Sequence, residues 1–560
     1  MQSIFSKPVG VFPYCIADFA EYCRKQRNSE NYLVFCQVYI TFVHEMKQLC
    51  FLLLAVISFS ADAQARKNLL DSLHYRVELQ ATLTSGDHTP LWLNANRYGL
   101  SSLKTANGYL RGAVERPLSV DADHRWGIGY GVDVAVAAGF TSVPIVHQAF
   151  AEARWLKGVL TVGAKEYPME LKNQELSSGS QTFGINARPI PQARVALPDY
   201  WTVPYTRGWL ALKGHLAYGK PTDSRWQKDF TDKRSKYVEG SWYHSKAGYL
   251  RIGPKNITLE LGLEMACQFG GKSYNVPEYG DITENKSDLK AFWDAFVPGG
   301  TDTGEAVTDN LETNGVYENA DGNHVGSWVA RLNLDFDKWY AGLYADHYFE
   351  DHSAMFFLDY DGYGTGADWN VKEKSRYFRY DLKDIMLGLE VQLKQFRWLD
   401  HVVVEYLHTK YQSGPVYHDH TQNISTHISG RDNYYNHSRQ TGWQHWGQVI
   451  GNPLYLSPIY NEKGIIKVLN NRFVAWHFGI SGQPSDRLHY RLLVTTQKGY
   501  GTYYELYPDP RNNFSMMAEV NYGFCNGWSA RGAVGFDSGE IYGKQVGFQL
   551  TLAKTGLFKF

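Results

Sequence analysis

From residue 327 the chain reads SWVARLNLDFD, which sets Trp328, Ala330, Leu332, Leu334 and Phe336 on one side of an extended strand and Arg331, Asn333, Asp335 and Asp337 on the other. A period of two divides apolar from polar side chains between opposite faces, as a strand lying between oil and water requires. DIMLGLEVQLK (384–394) repeats the pattern, with Ile385, Leu387, Leu389, Val391 and Leu393 opposing Asp384, Glu390, Gln392 and Lys394. RLHYRLLVTTQ (487–497) and KQVGFQLTLA (544–553) follow it too, the second through Val546, Phe548, Leu550 and Leu552 against Gln545, Gln549 and Thr551. Strands are predicted at 74–83, 108–115, 127–137, 148–155, 159–165, 206–214, 248–252 and 257–268, and around 328, 340, 387, 403, 474, 490, 518, 530 and 548, roughly 17 in all. Lys157-Gly158 and Asn526-Gly527 read as hairpin turns on the periplasmic side of a barrel, and the polar stretches 349–380 and 411–450 as long extracellular loops. One segment departs from the alternation. ITENKSDLKAFWDAF (282–296) spaces Leu289, Phe292, Trp293 and Phe296 as one face of a helix, with Ser287 or Asp288 to cap it and Pro298-Gly299-Gly300 to stop it. An amphipathic helix packed over one end of the strands is expected there.

Soluble sandwiches and propellers also alternate, so the ends of the chain matter. MKQLCFLLLAVISFSADAQ (46–64) carries Lys47, an apolar run over 49–59 and small residues Ala61 and Ala63 around Asp62, the arrangement of a cleavable secretory signal that leaves Gln64 first. The run is too short for a spanning helix, which needs roughly 20 residues. Cys50 lies at its front edge rather than after it, which argues against a lipoprotein. Because an export signal belongs at an N-terminus, residues 1–45 are expected to be a mis-called extension, 46–63 the signal peptide and 64–560 the mature protein. At the other end Phe560 shares parity with Phe558, Leu552, Leu550, Phe548 and Val546, so the last strand runs to the final residue with apolar side chains outward. A terminal aromatic strand of this kind is what bacterial outer-membrane barrels carry. The chain is therefore read as all-β, a transmembrane antiparallel β-barrel whose strands need only about 10 residues each.

Composition narrows the function. A net charge of -1 leaves no basic footprint for nucleic acid. Aromatics reach 15%, with 39 Tyr and 16 Trp, which suits interfacial girdles and ring-stacking surfaces alike. Beyond the signal only Cys267 and Cys525 remain, too few for a disulfide scaffold, and sequence does not say whether they meet.

Three passages are similar to the Wzi family of capsule-assembly proteins, particularly its Bacteroides-type members: QTFGINARPIPQARVALPDYWTVP (181–204), YVEGSWYHSKAGYLRIG (237–253) and GWQHWGQVIGNPLYLSP (442–458). HYFEDHSAMFFLDYDGYG (347–364) resembles the family's acidic-aromatic segment, and the block Asn186 to Pro191 is the most specific element. The resemblance implies an outer-membrane barrel of about 18 strands with a small helical element at its periplasmic end. It also implies a surface lectin, without catalytic activity, that tethers capsular or another surface polysaccharide.

The residues offer matching chemistry. A sugar polymer is held by flat aromatic faces and planar polar groups. The 411–450 stretch supplies Tyr434, Tyr435, Trp443 and Trp446 beside Asn433, Asn436, His437, Gln444 and His445. The same aromatics would equally form a girdle or pack the loop into the lumen. Arg188 invites a bidentate contact with the carboxylate of an acidic polymer, or it ties a loop to a lumenal Glu or Asp, Pro189 and Pro191 fixing an extended turn beside it. His347, Glu350, Asp351, His352 and Ser353 lie close in sequence, but adjacency does not place catalytic groups within reach, and neither Gly-x-Ser-x-Gly nor His-Glu-x-x-His occurs. DYDGYG (359–364) lacks the later ligands of a calcium loop. No enzyme, cofactor or metal is expected. Partners are surface polysaccharide and outer-membrane lipid, with the protein a monomer in the outer membrane of a Gram-negative cell. Two rivals stay open: a porin or solute channel, with Arg331, Asn333, Glu390 and Gln392 lining an open lumen, and an adhesin for foreign glycans. Inward-folded loops with paired charges favour the tether; segregated charge around an open lumen favours the channel.

Overall fold

The computed structural model describes residues 72–276, 280–297, 301–302, 317–318, 322–350, 361–363, 372–374, 384–410, 412, 432–462 and 464–558. The extension 1–45, the signal 46–63, Phe560, Asp351, His352 and Ser353 lie outside them.

Eighteen strands form one sheet: β1 His74–Ser85, β2 Ala106–Arg116, β3 Trp126–Ala138, β4 Ile145–Trp155, β5 Gly158–Ala164, β6 Gln192–Thr202, β7 Leu210–Gly219, β8 Trp242–Ile252, β9 Ile257–Phe269, β10 Asn323–Asp335, β11 Trp339–Glu350, β12 Ile385–Leu393, β13 His401–His408, β14 Phe473–Ser485, β15 Leu488–Gly501, β16 Leu506–Gly523, β17 Trp528–Gly539 and β18 Lys544–Leu557. Each pairs antiparallel with its sequence neighbours, and β1 pairs with β18 from His74↔Leu557 to Ser85↔Val546, which closes the barrel and leaves no edge. The strand absent from the sequence reading is β6. Pro198 cannot donate to a ladder, and its register against β7 breaks between Leu197 and Trp201, so the usual alternation is lost there.

Alternation elsewhere does what it foretold. In β18 Val546, Phe548, Leu550 and Leu552 are exposed outward while Gln545, Gln549 and Thr551 are buried inside. In β10 and β12 the lumenal parity holds Arg331 and Glu390, and Leu387 and Leu389 face out. An apolar outer wall around a closed sheet is the arrangement a bilayer demands, because every backbone polar group finds its partner within the barrel. No helix among the described residues is long and apolar enough to cross a membrane.

The two ends differ. Both described chain ends, Ser72 and Phe558, lie at the end joined by short connections: 117–125, 156–157, 203–209, 253–256, 336–338, 394–400, 486–487 and 524–527. The expected hairpin turns fall here, the first as Leu156-Lys157, the second with Asn526 and Gly527 both at positive φ. Exposed Trp126, Trp155, Trp339, Trp398 and Trp528 ring this end as an aromatic girdle. The long connections 86–105, 165–191, 220–241, 270–322, 351–384 and 409–472 all leave from the opposite end. Short turns mark the periplasmic side and long loops the extracellular side.

That parity corrects the placement of the helical element. Helices α1 Leu91–Asn94, α2 Ser224–Thr231 and α3 Leu289–Phe296 all lie in long connections and hence at the extracellular end. At the periplasmic end the described residues hold only the short 3-10 turns Leu118–Asp121 and Cys525–Gly527. Asp288 caps α3 as expected, accepting a hydrogen bond from the Ala291 amide at 2.8 Å. The inward stripe, however, is the buried Ala291 and Ala295 with the half-buried Phe292 and Phe296, while Leu289 and Trp293 stay exposed. Phe292 packs on Phe269, Trp242 and Tyr218 at the mouth of the lumen. Cys267 is buried and Cys525 exposed, and neither is in a disulfide.

Candidate functional site

The polar inner face of such a barrel must be wetted or matched. Here it is matched, by loops that fold in from the extracellular end. Loop 165–191 enters deepest. Lys172 Nζ reaches Asp346 at 2.9 Å with both side chains buried, and the Gln181 amide donates to the same carboxylate at 3.1 Å. Glu405 on β13 accepts from Ser177 Oγ at 2.6 Å, the Ser178 amide at 2.8 Å and Tyr344 Oη at 2.5 Å. Asn173 donates to Glu390 at 2.9 Å, and Glu390 also pairs with Arg331. Elsewhere in the lumen Arg97 and Arg491 share Glu519, and Arg111 pairs with Asp133 and Glu166. Where the loops fill the lumen, these charges are matched in pairs rather than segregated.

The connection 409–472 lays a second layer on the first. One apolar cluster takes Leu91, Trp92 and Leu93 from α1, Leu176 and Ile190 from loop 165–191, and Tyr434, Tyr435, Trp443, Val449, Leu454 and Tyr455 from 409–472. It meets inward side chains of every strand from β8 to β17, from Tyr243 to Ala533. The layers touch backbone to backbone. A side chain at Gly451 would land on the Tyr435 hydroxyl and the Gln181 carbonyl, so only glycine fits. The half of the lumen nearer the extracellular end is a packed core.

This placement revises what the candidate residues do. Tyr434, Tyr435, Trp443 and His445 are buried, not turned to solvent, because each is a strut between layers. Tyr434 Oη donates to Asp384 at 3.2 Å, Tyr435 stacks on Tyr455 with ring centroids 3.9 Å apart, and Trp443 Nε1 donates to the Thr182 carbonyl at 2.9 Å. The amides proposed to meet sugar hydroxyls are also engaged within the plug: Asn433 Oδ1 accepts from Asn436 at 3.0 Å, and Gln444 Nε2 donates to Asp223 at 3.2 Å.

Arg188 and Trp446 form a different unit. Trp446 is only half-buried, and the Arg188 guanidinium lies over its ring, 4.5 Å from the centroid. Arg188 does not tie to a lumenal carboxylate. Its Nη1 and Nη2 donate to Ser142 Oγ at 2.7 Å and Thr141 Oγ1 at 2.8 Å in the turn after β3, which are neutral partners. Burial pulls the guanidinium pKa down to about 10, so it stays charged at neutral pH. His445 joins the two loops beneath. Its Nδ1 donates to the Arg188 carbonyl at 2.9 Å, and its Nε2 accepts from the Thr222 amide at 3.1 Å.

Burial, opposed by Asp223, holds the His445 imidazole below the ordinary histidine range. Its pKa in the folded chain thus lies under that of the unfolded chain. As pH falls the unfolded state takes up more protons, and stability is lost below roughly pH 6.5. Hydrogen-exchange protection of the amides around 443–450 is expected to fall as pH is lowered from about 7 to about 5. A profile that stays flat would contradict the buried neutral imidazole.

Sequence reasoning missed the anchors Lys172, Asp346 and Glu405. The signal available was parity, since charged residues on the lumenal face of a filled barrel need partners. The partners' identity was not readable, because Lys172 and Asp346 are separated by more than 170 positions.

A closed antiparallel barrel of 18 strands with an apolar outer wall and loops folded into its lumen defines a transmembrane β-barrel of the outer-membrane kind. Among solved structures it is similar to Wzi, an outer-membrane protein involved in group 1 capsule assembly in Escherichia coli and described as a carbohydrate-binding β-barrel, with a TM-score of 0.52 and 11% identity over 89% of this chain and 87% of that one. Weaker likeness extends to Pseudomonas aeruginosa OccK2 (OpdF) in complex with glucuronate, at a TM-score of 0.42 and 8% identity over 88% of this chain and 99% of that one. No family model matches the sequence, and no curated protein does.

Proposed function

We propose that this protein is a Wzi-like, non-catalytic surface lectin of the outer membrane, exported by the signal at 46–63 and acting as a monomer to tether capsular or another surface polysaccharide. The observation that supports the reading is the extracellular half of the lumen, packed with two loop layers and matched charges. The fold shared with a carbohydrate-binding barrel supports it.

On that face Trp446 is the contact we assign to a sugar ring, with Arg188 behind it to hold the ring flat and to attract acidic groups. Tyr434, Tyr435, Trp443 and His445 act beneath as positioning residues. One stacked ring contributes about 1 kcal/mol, so Trp446→Ala is expected to weaken binding of the organism's own polymer about fivefold per site. Repetition along a polymer turns weak sites into firm retention. Titration of the purified barrel with sized polymer fragments checks this, and unchanged affinity would remove Trp446 from the contact.

The function itself is tested by the ratio of cell-bound to released polysaccharide in a strain lacking the gene, with and without complementation from Met46. Polymer that is made but shed, and retained again on complementation, is the expected result. An unchanged bound fraction rejects the tether, and binding to host glycans instead would make the protein an adhesin.

A further inference from the structure

Beneath the plug the barrel is not filled. A cavity of about 780 Å³ opens at the periplasmic end, floored by Leu171 and Lys172 of loop 165–191 and walled by β7 to β11 and their turns. Its volume lies within the roughly 300–1,000 Å³ typical of sites for small organic ligands. The lining is cationic: Lys172, Lys213, Arg331, Arg207, Arg251 and Lys255. The first three are neutralised by Asp346, Glu170 and Glu390. The other three have no carboxylate within ion-pair distance among the described residues. Arg251 lies with its guanidinium over the Tyr200 ring, 4.3 Å from the centroid, an arrangement that holds the fork in place and leaves its N–H groups for another acceptor.

Two carboxylates also line the space, and they offset only part of that excess. Glu260 stands between Arg251 and Arg331 in the strand register, but its contact is the Asn333 amide at 3.1 Å. Asp335, at the rim, pairs with Lys394. A low-dielectric cleft with an excess of one sign of charge focuses potential and concentrates counter-ions. The rest of the wall is suited to sugar rather than to a bare ion. Trp209 offers an exposed aromatic face at the mouth, and Thr258 and Asn333 provide neutral hydrogen-bonding groups.

We propose that this periplasmic cavity is a second, separate binding site, for a short carboxylate-bearing oligosaccharide, with Arg251, Arg207 and Lys255 as the anion contacts. The proposal does not rest on the outer-face lectin. Arg207 and Lys255 are exposed turn residues, so their replacement leaves the barrel intact. Tri-galacturonate is titrated by calorimetry into the full-length mature protein in detergent, alongside maltotriose and inorganic phosphate. Saturable binding of tri-galacturonate is expected, with maltotriose at least tenfold weaker. The double variant Arg207→Gln/Lys255→Gln is expected to lose about tenfold in affinity and Arg251→Gln a similar factor. Equal binding of maltotriose, tighter binding of inorganic phosphate, or full affinity in all the Arg and Lys variants would overturn the proposal. None of these outcomes bears on polymer retention at the cell surface, so the two readings fail separately.

Discussion

Asp346→Ala is expected to open the lumen. Its carboxylate is fully buried and accepts from both Lys172 and the Gln181 amide, a buried attachment of loop 165–191 to the wall. Without it the Lys172 ammonium is left in the core with no counter-charge, a loss of about 3–5 kcal/mol for a broken buried pair. The barrel itself is held by eighteen ladders and has little reason to unfold. The loop has an alternative, which is to swing out and take Lys172 to water. The expected readout is therefore local: protease cleavage within 165–191 on intact vesicles, and ion conductance absent from the parent. Double replacement with Lys172→Met restores the seal, because an apolar pair of similar size needs no charge compensation. Wild-type protease resistance and silence in Asp346→Ala would mean that this ion pair does not hold the plug.

Leu550→Arg should give the other large effect. Leu550 sits midway along β18 on the outer wall. If that wall meets lipid, a guanidinium at mid-depth costs about 2–4 kcal/mol, whereas near an interface the cost falls to about 0–1 kcal/mol. Val546, on the same outward face near the extracellular end of the strand and also exposed, provides the comparison. Denaturant unfolding in lipid vesicles is expected to show a large loss for Leu550→Arg and a small one for Val546→Arg. Equal, small losses at both would mean that the face meets water.

How much of this was legible in the sequence follows from the range of the forces involved. Alternation is a local property, so β10, β12 and β18 announced both their existence and their orientation. β6 escaped because Pro198 and its register break erase the period over several residues. The α3 helix was readable through its cap and spacing, but which end it occupies depends on how many strands precede it, and the miscounted β6 lies among them. The site was less legible still. A run of Tyr, Trp, Asn and His serves a sugar or a core equally well. What settles Trp443 inward is the Thr182 carbonyl, 261 positions away, a contact that no spacing rule reaches. Arg188 was expected to have a carboxylate or a ligand and has instead two hydroxyls and an indole, partners from two segments distant in sequence.

The central claim is that the barrel is sealed from within and works at its outer face. It is tested most directly by conductance of the purified protein in a planar bilayer. The packed layers of loops 165–191 and 409–472 predict no stepwise ion current at ordinary holding potentials, with current appearing once Asp346→Ala releases the inner loop. Stable open-channel steps in the unaltered protein, selective for particular solutes, would contradict the seal and identify a channel.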